Sequence, residues 1–192
     1  MEHPEDRYKH KIFTIPNVLS FFRLCLIPLI VWQYVYKHNY FSALYLLALS
    51  GLTDIADGIV ARTFNMVSDF GKAFDPVADK LTQIAMLFCL VTRFPNMWFP
   101  LILLVIKEIF AGITGLMIVR KGVVLGADWH GKATTVLLYG TMLVHLAWVN
   151  VSPAVSNILI GVCTAMMLLS GILYAIRNLR YLSPGENEHE KN

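Results

Sequence analysis

Charge is what this 192-residue sequence is short of: Asp, Glu, Lys and Arg make up 15% of it, against roughly 25% in a typical soluble domain. Ten of the 29 charged residues lie in 1–11 and 181–192, which leaves 19 across the 169 residues between them. With 56% of residues apolar, a disordered chain and an ordinary soluble domain are both excluded, and a multispanning membrane protein is indicated. Cysteine is equally scarce. Cys25, Cys89 and Cys163 lie inside apolar runs, and three such thiols cannot make a disulfide framework, so they serve as small apolar side chains. The net charge is only +3, too little to argue for a nucleic-acid partner. No small-residue cleavage site follows the basic start at Arg7, Lys9 and Lys11, and the apolar run continues to Tyr36, past signal-peptide length. The sequence therefore predicts a retained first span. No repeat of fixed period, low-complexity block or second domain is visible.

What is present is a series of long apolar runs. A membrane span needs about 20 mostly apolar residues at about 1.5 Å rise each. Residues 133–176 contain no Asp, Glu, Lys or Arg, and as one helix these 44 residues would reach about 66 Å, roughly twice the hydrocarbon thickness. They form two spans, broken at the turn formers Asn150, Ser152 and Pro153. The same criterion places spans at 17–36, 41–62, 70–92, 98–119, 133–149 and 154–177. The fold class is all-α, a polytopic membrane bundle of six transmembrane helices.

An even number of spans puts both termini on one side. Arg7, Lys9, Lys11, Arg62, Lys72, Arg120, Lys121, Lys132, Arg177, Arg180 and Lys191 fall on that side, against only Lys37 and Arg93 on the other. The positive-inside bias makes it the cytoplasm. Trp32, Tyr34, Tyr36, Trp98 and Trp148 fall near the outer ends, as interfacial anchors do. Residues 1–11 read as a cytoplasmic N-terminal segment, 12–180 as the membrane domain and 181–192 as a disordered cytoplasmic tail. His145 reads as a helix-packing hydrogen-bond donor and His130 as a solvated loop residue, while Gly112, Gly115, Gly161 and Gly171 permit close helix approach.

Acidic residues are rarer still within the spans, and their placement is not random. Between residues 12 and 127 they are Asp54, Asp57, Asp69, Asp75, Asp79 and Glu108. A charge at depth in a span costs several kcal/mol, so such residues pair, coordinate an ion or line a wet cavity. Asp54 and Asp57 are one helical turn apart, as are Asp75 and Asp79 on the next helix, so each pair shares a face. A short cytoplasmic link joins the two helices, and both pairs converge near the cytoplasmic surface. Four hard oxygen donors without nearby His or Cys favour Mg²⁺ or Mn²⁺ over Zn²⁺, and two such ions would neutralise most of the charge. Gly58 and Ala61 flank the Asp57 face and Gly71 lies one turn before Asp75, leaving room for a flat ligand. Ion pairs with Arg62, Lys72 and Lys80 would leave those small residues unexplained. An ion-coupled transporter would also bury carboxylates, but more usually at the bilayer midplane on broken helices.

The stretch DIADGIVARTFNMVSDFGKAFDPVAD, 54–79, resembles the signature of the CDP-alcohol phosphatidyltransferase family. Its eight fixed positions are filled by Asp54, Asp57, Gly58, Ala61, Arg62, Gly71, Asp75 and Asp79. IPNVLSFFRLCLIP, 15–28, is similar to the first-span opening of the phosphatidylglycerophosphate synthase and cardiolipin synthase branch, and KEI at 107–109 and GKATT at 131–135 are similar to its later cytoplasmic segments. The resemblance implies that Asp54, Asp57, Asp75 and Asp79 hold two divalent ions, Mg²⁺ or Mn²⁺, on the diphosphate of CDP-diacylglycerol. It implies that Asp79 is also the catalytic base for the acceptor hydroxyl. By the same resemblance Gly58, Ala61 and Gly71 make space for the CDP group, Arg62 binds phosphate, and CMP is released.

The implied acceptor is a phosphorylated alcohol, first of all sn-glycerol 3-phosphate, with phosphatidylglycerol as the alternative that would make cardiolipin. Arg23, Lys107, Glu108, Arg120, Lys121 and Lys132 are candidates for the acceptor site. The chain departs from the phosphatidylglycerophosphate synthases in carrying Lys107 and Glu108 where they commonly have ArgGlu, and in lacking a further Arg before Val119. A homodimer in the lipid bilayer of a bacterial cytoplasmic membrane, its active site facing the cytoplasm, completes what the resemblance implies.

Overall fold

A computed structural model describes residues 14–63, 69–120 and 129–182, all of them helix or short connection. Six α-helices follow one another: α1 (Ile15–Val31), α2 (Tyr40–Thr63), α3 (Asp69–Val91), α4 (Trp98–Arg120), α5 (Trp129–Ala147) and α6 (Pro153–Leu182). A π-helical turn, Trp32–Tyr36, prolongs α1, and a 3-10 turn, Pro95–Met97, leads into α4. Each helix lies where an apolar run predicts a span, with ends moved by a few residues. The start of α1 shows why. Thr14 is extended and its hydroxyl accepts from Asn17 N–H at 3.4 Å, while Pro16 sits in the first turn where no N–H is needed. The segment 1–11 and the tail beyond Leu182 lie outside the described residues, whereas Tyr181 and Leu182, expected in the tail, close α6.

Among the described residues four stretches are long and apolar enough to cross a membrane: Ile15–Tyr36, Tyr40–Val60, Pro95–Arg120 and Pro153–Leu182. The other two helices are too polar to qualify by composition. Asp75, Asp79 and Lys80 open α3, and α5 carries His130, Lys132, three threonines and His145 in its 19 residues.

The helices group into two units, one of 14–93 with 143–149, the other of 94–142 with 150–182. In the first, α1 packs along both α2 and α3. Its buried stripe recurs at helical spacing and changes character along its length: Asn17, Ser20 and Arg23 at one end, Leu26, Ile30 and Tyr34 at the other. On α2 the buried face runs Ala43, Leu47, Ser50, Asp57; on α3 it runs from Ala78, Thr82 and Gln83 to Met86, Leu87 and Leu90. Each stripe is apolar at one end and polar at the other, and the polar ends meet. At the apolar end, Tyr34 packs edge-on to Tyr40, with centroids 5.0 Å apart, and the Arg93 guanidinium lies 4.3 Å from the Tyr40 ring. Arg93 Nη2 also donates to the Val149 carbonyl. Tyr34 thus belongs to the core rather than to an interfacial belt, because the stripe begun by Leu26 and Ile30 turns it inward; Trp32, Trp98 and Trp148 are exposed, as anchors are.

In the second unit α4 packs along α6. Leu101, Leu104 and Ile118 on α4 and Ile160, Cys163 and Met167 on α6 are buried. Asn178 Nδ2 donates to Thr114 Oγ1 at 2.7 Å, and Asn96 Nδ2 to Asn157 Oδ1 at 2.8 Å. His130 is not a solvated loop residue: α5 begins at Trp129, which turns the imidazole inward to a 3.1 Å hydrogen bond between Nδ1 and Ser170 Oγ. At Gly112, Gly115 and Gly161 a Cβ would meet nothing within 4 Å among the described residues, so no close helix approach is made there within this set. The three cysteines are free.

Candidate active site

The polar ends of α1, α2 and α3 form one cluster. Arg23, only 2% exposed, places Nη1 2.6 Å from Asp54 Oδ1 and Nη2 2.6 Å from Asp57 Oδ2. Three residues earlier, on the same face of α1, the fully buried Ser20 Oγ lies 3.1 Å from the Pro16 carbonyl, 3.4 Å from Asp57 Oδ2 and within hydrogen-bond reach of Asp75 Oδ1. The acids of α2 and α3 therefore converge, as their spacing predicts, but through α1. Two unit charges about 4 Å apart are worth roughly 1 kcal/mol in bulk water and about 4 kcal/mol at an effective dielectric constant of 20. Burial is what makes the Arg23–Asp57 pair consequential, while half-exposed Asp54 gains less.

Asp79 sits one turn beyond Asp75 and is half-buried. Gln83 Nε2, fully buried, donates to its Oδ2 at 2.8 Å, and Lys80 Nζ in turn donates to Gln83 Oε1 at 3.5 Å. Gly71 is buried and Gly58 half-buried on these helices, while the side chains of Ala61 and Arg62 lie outside those described. Of the residues expected at the acceptor, only Arg23 is in this unit, and it is committed to the acids. The others belong to the second unit. There Lys107 Nζ pairs with Glu108 Oε1 at 3.2 Å, and Arg120 and Lys132 are exposed, Lys132 in the first turn of α5. Lys121 lies outside the described residues.

Sequence reasoning missed Ser20, Gln83 and the partner of Arg23. An Arg inside an apolar span, with Ser20 and Asn17 at three-residue intervals before it, marks a polar face, and Gln83 one turn after Asp79 extends the acidic one.

Among the described residues no three His, Cys, Asp or Glu side chains are grouped so as to hold a metal ion as they stand, and Arg23 lies between two of the acids. The donor set nevertheless suits a hard divalent cation, being carboxylate and hydroxyl oxygen without sulfur or imidazole. The single Ser20 proton can go to only one of three acceptors at a time. With Ser20 neutral, the single positive charge of Arg23 stands against three carboxylates, Asp54, Asp57 and Asp75, an excess of negative charge that such a cation relieves.

The chain is similar to known proteins over the helices that carry this cluster. The family model described as CDP-alcohol phosphatidyltransferase matches residues 13–174, which take in all three helices of this cluster. A CDP-diacylglycerol–glycerol-3-phosphate 3-phosphatidyltransferase of Aquifex aeolicus is 30% identical over 88% of this chain and 98% of its own length. A CMP-forming cardiolipin synthase of Streptomyces coelicolor is 31% identical over 87% of this chain and 83% of its own. A cardiolipin synthase and mitochondrial hydrolase fusion protein of Schizosaccharomyces pombe is 40% identical over 85 residues, 44% of this chain but only 14% of that protein. With the signature complete at 54–79 and the match running through both units, the chain belongs to the CDP-alcohol phosphatidyltransferase family.

Proposed function

We propose that this enzyme of phospholipid synthesis transfers the phosphatidyl group of CDP-diacylglycerol to sn-glycerol 3-phosphate, giving phosphatidylglycerophosphate and CMP. The observation that carries this is the convergence of Asp54, Asp57 and Asp75 on Arg23 and Ser20, which brings the two halves of the signature to one point. Asp79, oriented by Gln83, takes the proton of the acceptor hydroxyl as its oxygen bonds to the phosphorus bearing diacylglycerol. The bond from that phosphorus to the CMP oxygen breaks and CMP leaves. Asp54, Asp57, Asp75 and Asp79 are the residues that would hold two divalent cations, Mg²⁺ or Mn²⁺; when bound, these supply positive charge to the diphosphate as CMP departs. Arg62 adds a fixed charge to the same phosphates, and Gly58, Ala61 and Gly71 leave the backbone open to the CDP group. Ion-coupled transport has no observation in its favour beyond the acids themselves.

All six helices cross the bilayer in this proposal, the polar starts of α3 and α5 lying at the cytoplasmic surface with the site and both termini. The basic bias supports that orientation. The resemblance supports a homodimer, and the bacterial sources of relatives such as those of Aquifex aeolicus and Streptomyces coelicolor support a bacterial cytoplasmic membrane. With Cys25, Cys89 and Cys163 replaced, a cysteine introduced at Asn192 should react with an impermeant thiol reagent only from the cytoplasmic side, and one at Asn96 only from outside. Labelling of both from one face would overturn the six-span topology.

The acceptor is tested through Lys132. An exposed lysine in the first turn of α5 combines its charge with helix N–H groups, a setting suited to a phosphate dianion, whereas the charge of Lys107 is matched by Glu108. Lys132→Ala should raise the KM for glycerol 3-phosphate about tenfold or more while leaving that for CDP-diacylglycerol nearly unchanged, and high salt should reproduce part of the loss. Phosphatidylglycerol, with one phosphodiester charge and entry from the bilayer, should depend less on Lys132. The Streptomyces coelicolor relative favours it as the second choice, and a cardiolipin product unresponsive to glycerol 3-phosphate would establish it.

A further inference from the structure

Arg23 is buried more deeply than either acid it touches, and it lies outside the signature at 54–79. Asp54 and Asp57 stand one turn apart on one helix, where two anions repel, and Asp57 is 5% exposed. The planar guanidinium is suited to this pair because two of its nitrogens reach two carboxylates at once, which the single ammonium of a lysine does less well. Nη2 donates to Asp57 and Nη1 lies at ion-pair distance from Asp54, while Nε is buried without a hydrogen-bond partner among the described residues, so the charge of Arg23 is directed at the acids.

We propose that Arg23 is the resident counter-cation of the acidic site: it keeps Asp54 and Asp57 assembled, and through Ser20 beside Asp75, while no divalent cation is bound. It is a positioning residue rather than an acceptor ligand, and this role rests on the phosphatidyl transfer proposed above. Removing one partner of a buried ion pair strands the charge of the other. Arg23 and a divalent cation compensate the same negative charge, so a chain without Arg23 should lean on the cation for its stability.

Thermal unfolding of the purified chain in detergent, in EDTA and in saturating Mn²⁺, reads this directly. In EDTA, Arg23→Met should melt roughly 10 °C below the wild type. Mn²⁺ should recover most of that deficit while raising the wild type far less, and Arg23→Lys should fall between. Should Arg23→Met not fold in either condition, the Arg23→Lys deficit must still shrink on adding Mn²⁺. A deficit that Mn²⁺ leaves unchanged would overturn the proposal, marking Arg23 as a purely structural group. Arg23→Met melting like the wild type, with only the KM for glycerol 3-phosphate raised, would overturn it in favour of an acceptor ligand. Recovery of the Arg23 variants by Mn²⁺, beside a wild type that releases no CMP, would uphold the counter-cation and sink the transfer reaction instead.

Discussion

Asp57→Asn should lower CMP release by on the order of a hundred- to a thousandfold with glycerol 3-phosphate and phosphatidylglycerol alike. The loss is common to both acceptors because Asp57 acts on the CDP-lipid side of the reaction, where removing one negative charge weakens the hold on divalent cations. Folding should survive. Asn keeps a side-chain oxygen that can accept from Arg23 Nη2, now 2.6 Å from Asp57 Oδ2, so the link between α1 and α2 is weakened rather than cut. The check is CMP release across a Mg²⁺ titration beside a melting curve of the same preparation. Activity near wild type at limiting Mg²⁺ would remove Asp57 from the cation site.

Replacing Asp79 by Asn should separate binding from chemistry. A general base contributes about 10²–10⁴ in rate, and an amide cannot accept the hydroxyl proton, so turnover should fall by about that factor. The CDP-lipid should bind with little change, since Asp54, Asp57 and Asp75 remain, and the Asn oxygen can still accept from Gln83 Nε2. Titration with CDP-diacylglycerol in mixed micelles, set against single-turnover CMP release, distinguishes the two quantities. A parallel fall in both would make Asp79 chiefly a cation ligand.

These expectations draw on both what the sequence discloses and what only the fold supplies. Helix positions were legible because apolar runs and their breaks are local properties: the charge-free stretch 133–176 does divide, at the connection between Ala147 and Pro153. The grouping of the acids on helix faces was legible for the same reason, since i, i+3 and i, i+4 spacing fixes which side chains share a face. Which helix mediates their convergence is a tertiary property. The acids of α2 and α3 meet through Ser20 and Arg23 of α1, some 30 to 55 residues away in sequence, and no local pattern assigns that partnership. Tyr34 and His130 show the same limit: each was assigned from its expected position at a span end or in a loop, and each is turned inward by the phase of the helix that carries it. Acceptor choice was the least legible feature, because Lys107, Arg120 and Lys132 are individually compatible with plain positive-inside anchoring.

The most direct measurement is CMP release by the purified 192-residue chain in lipid nanodiscs containing CDP-diacylglycerol, with Mg²⁺ or EDTA and each acceptor in turn. CMP should appear only when Mg²⁺ and an acceptor are both present, fastest with glycerol 3-phosphate, which should yield one phosphatidylglycerophosphate for each CMP released, and Asp57→Asn should lower the rate by about a hundred- to a thousandfold. No CMP above the Asp57→Asn background with any acceptor in Mg²⁺, from a chain that melts cooperatively, would contradict phosphatidyl transfer at this site.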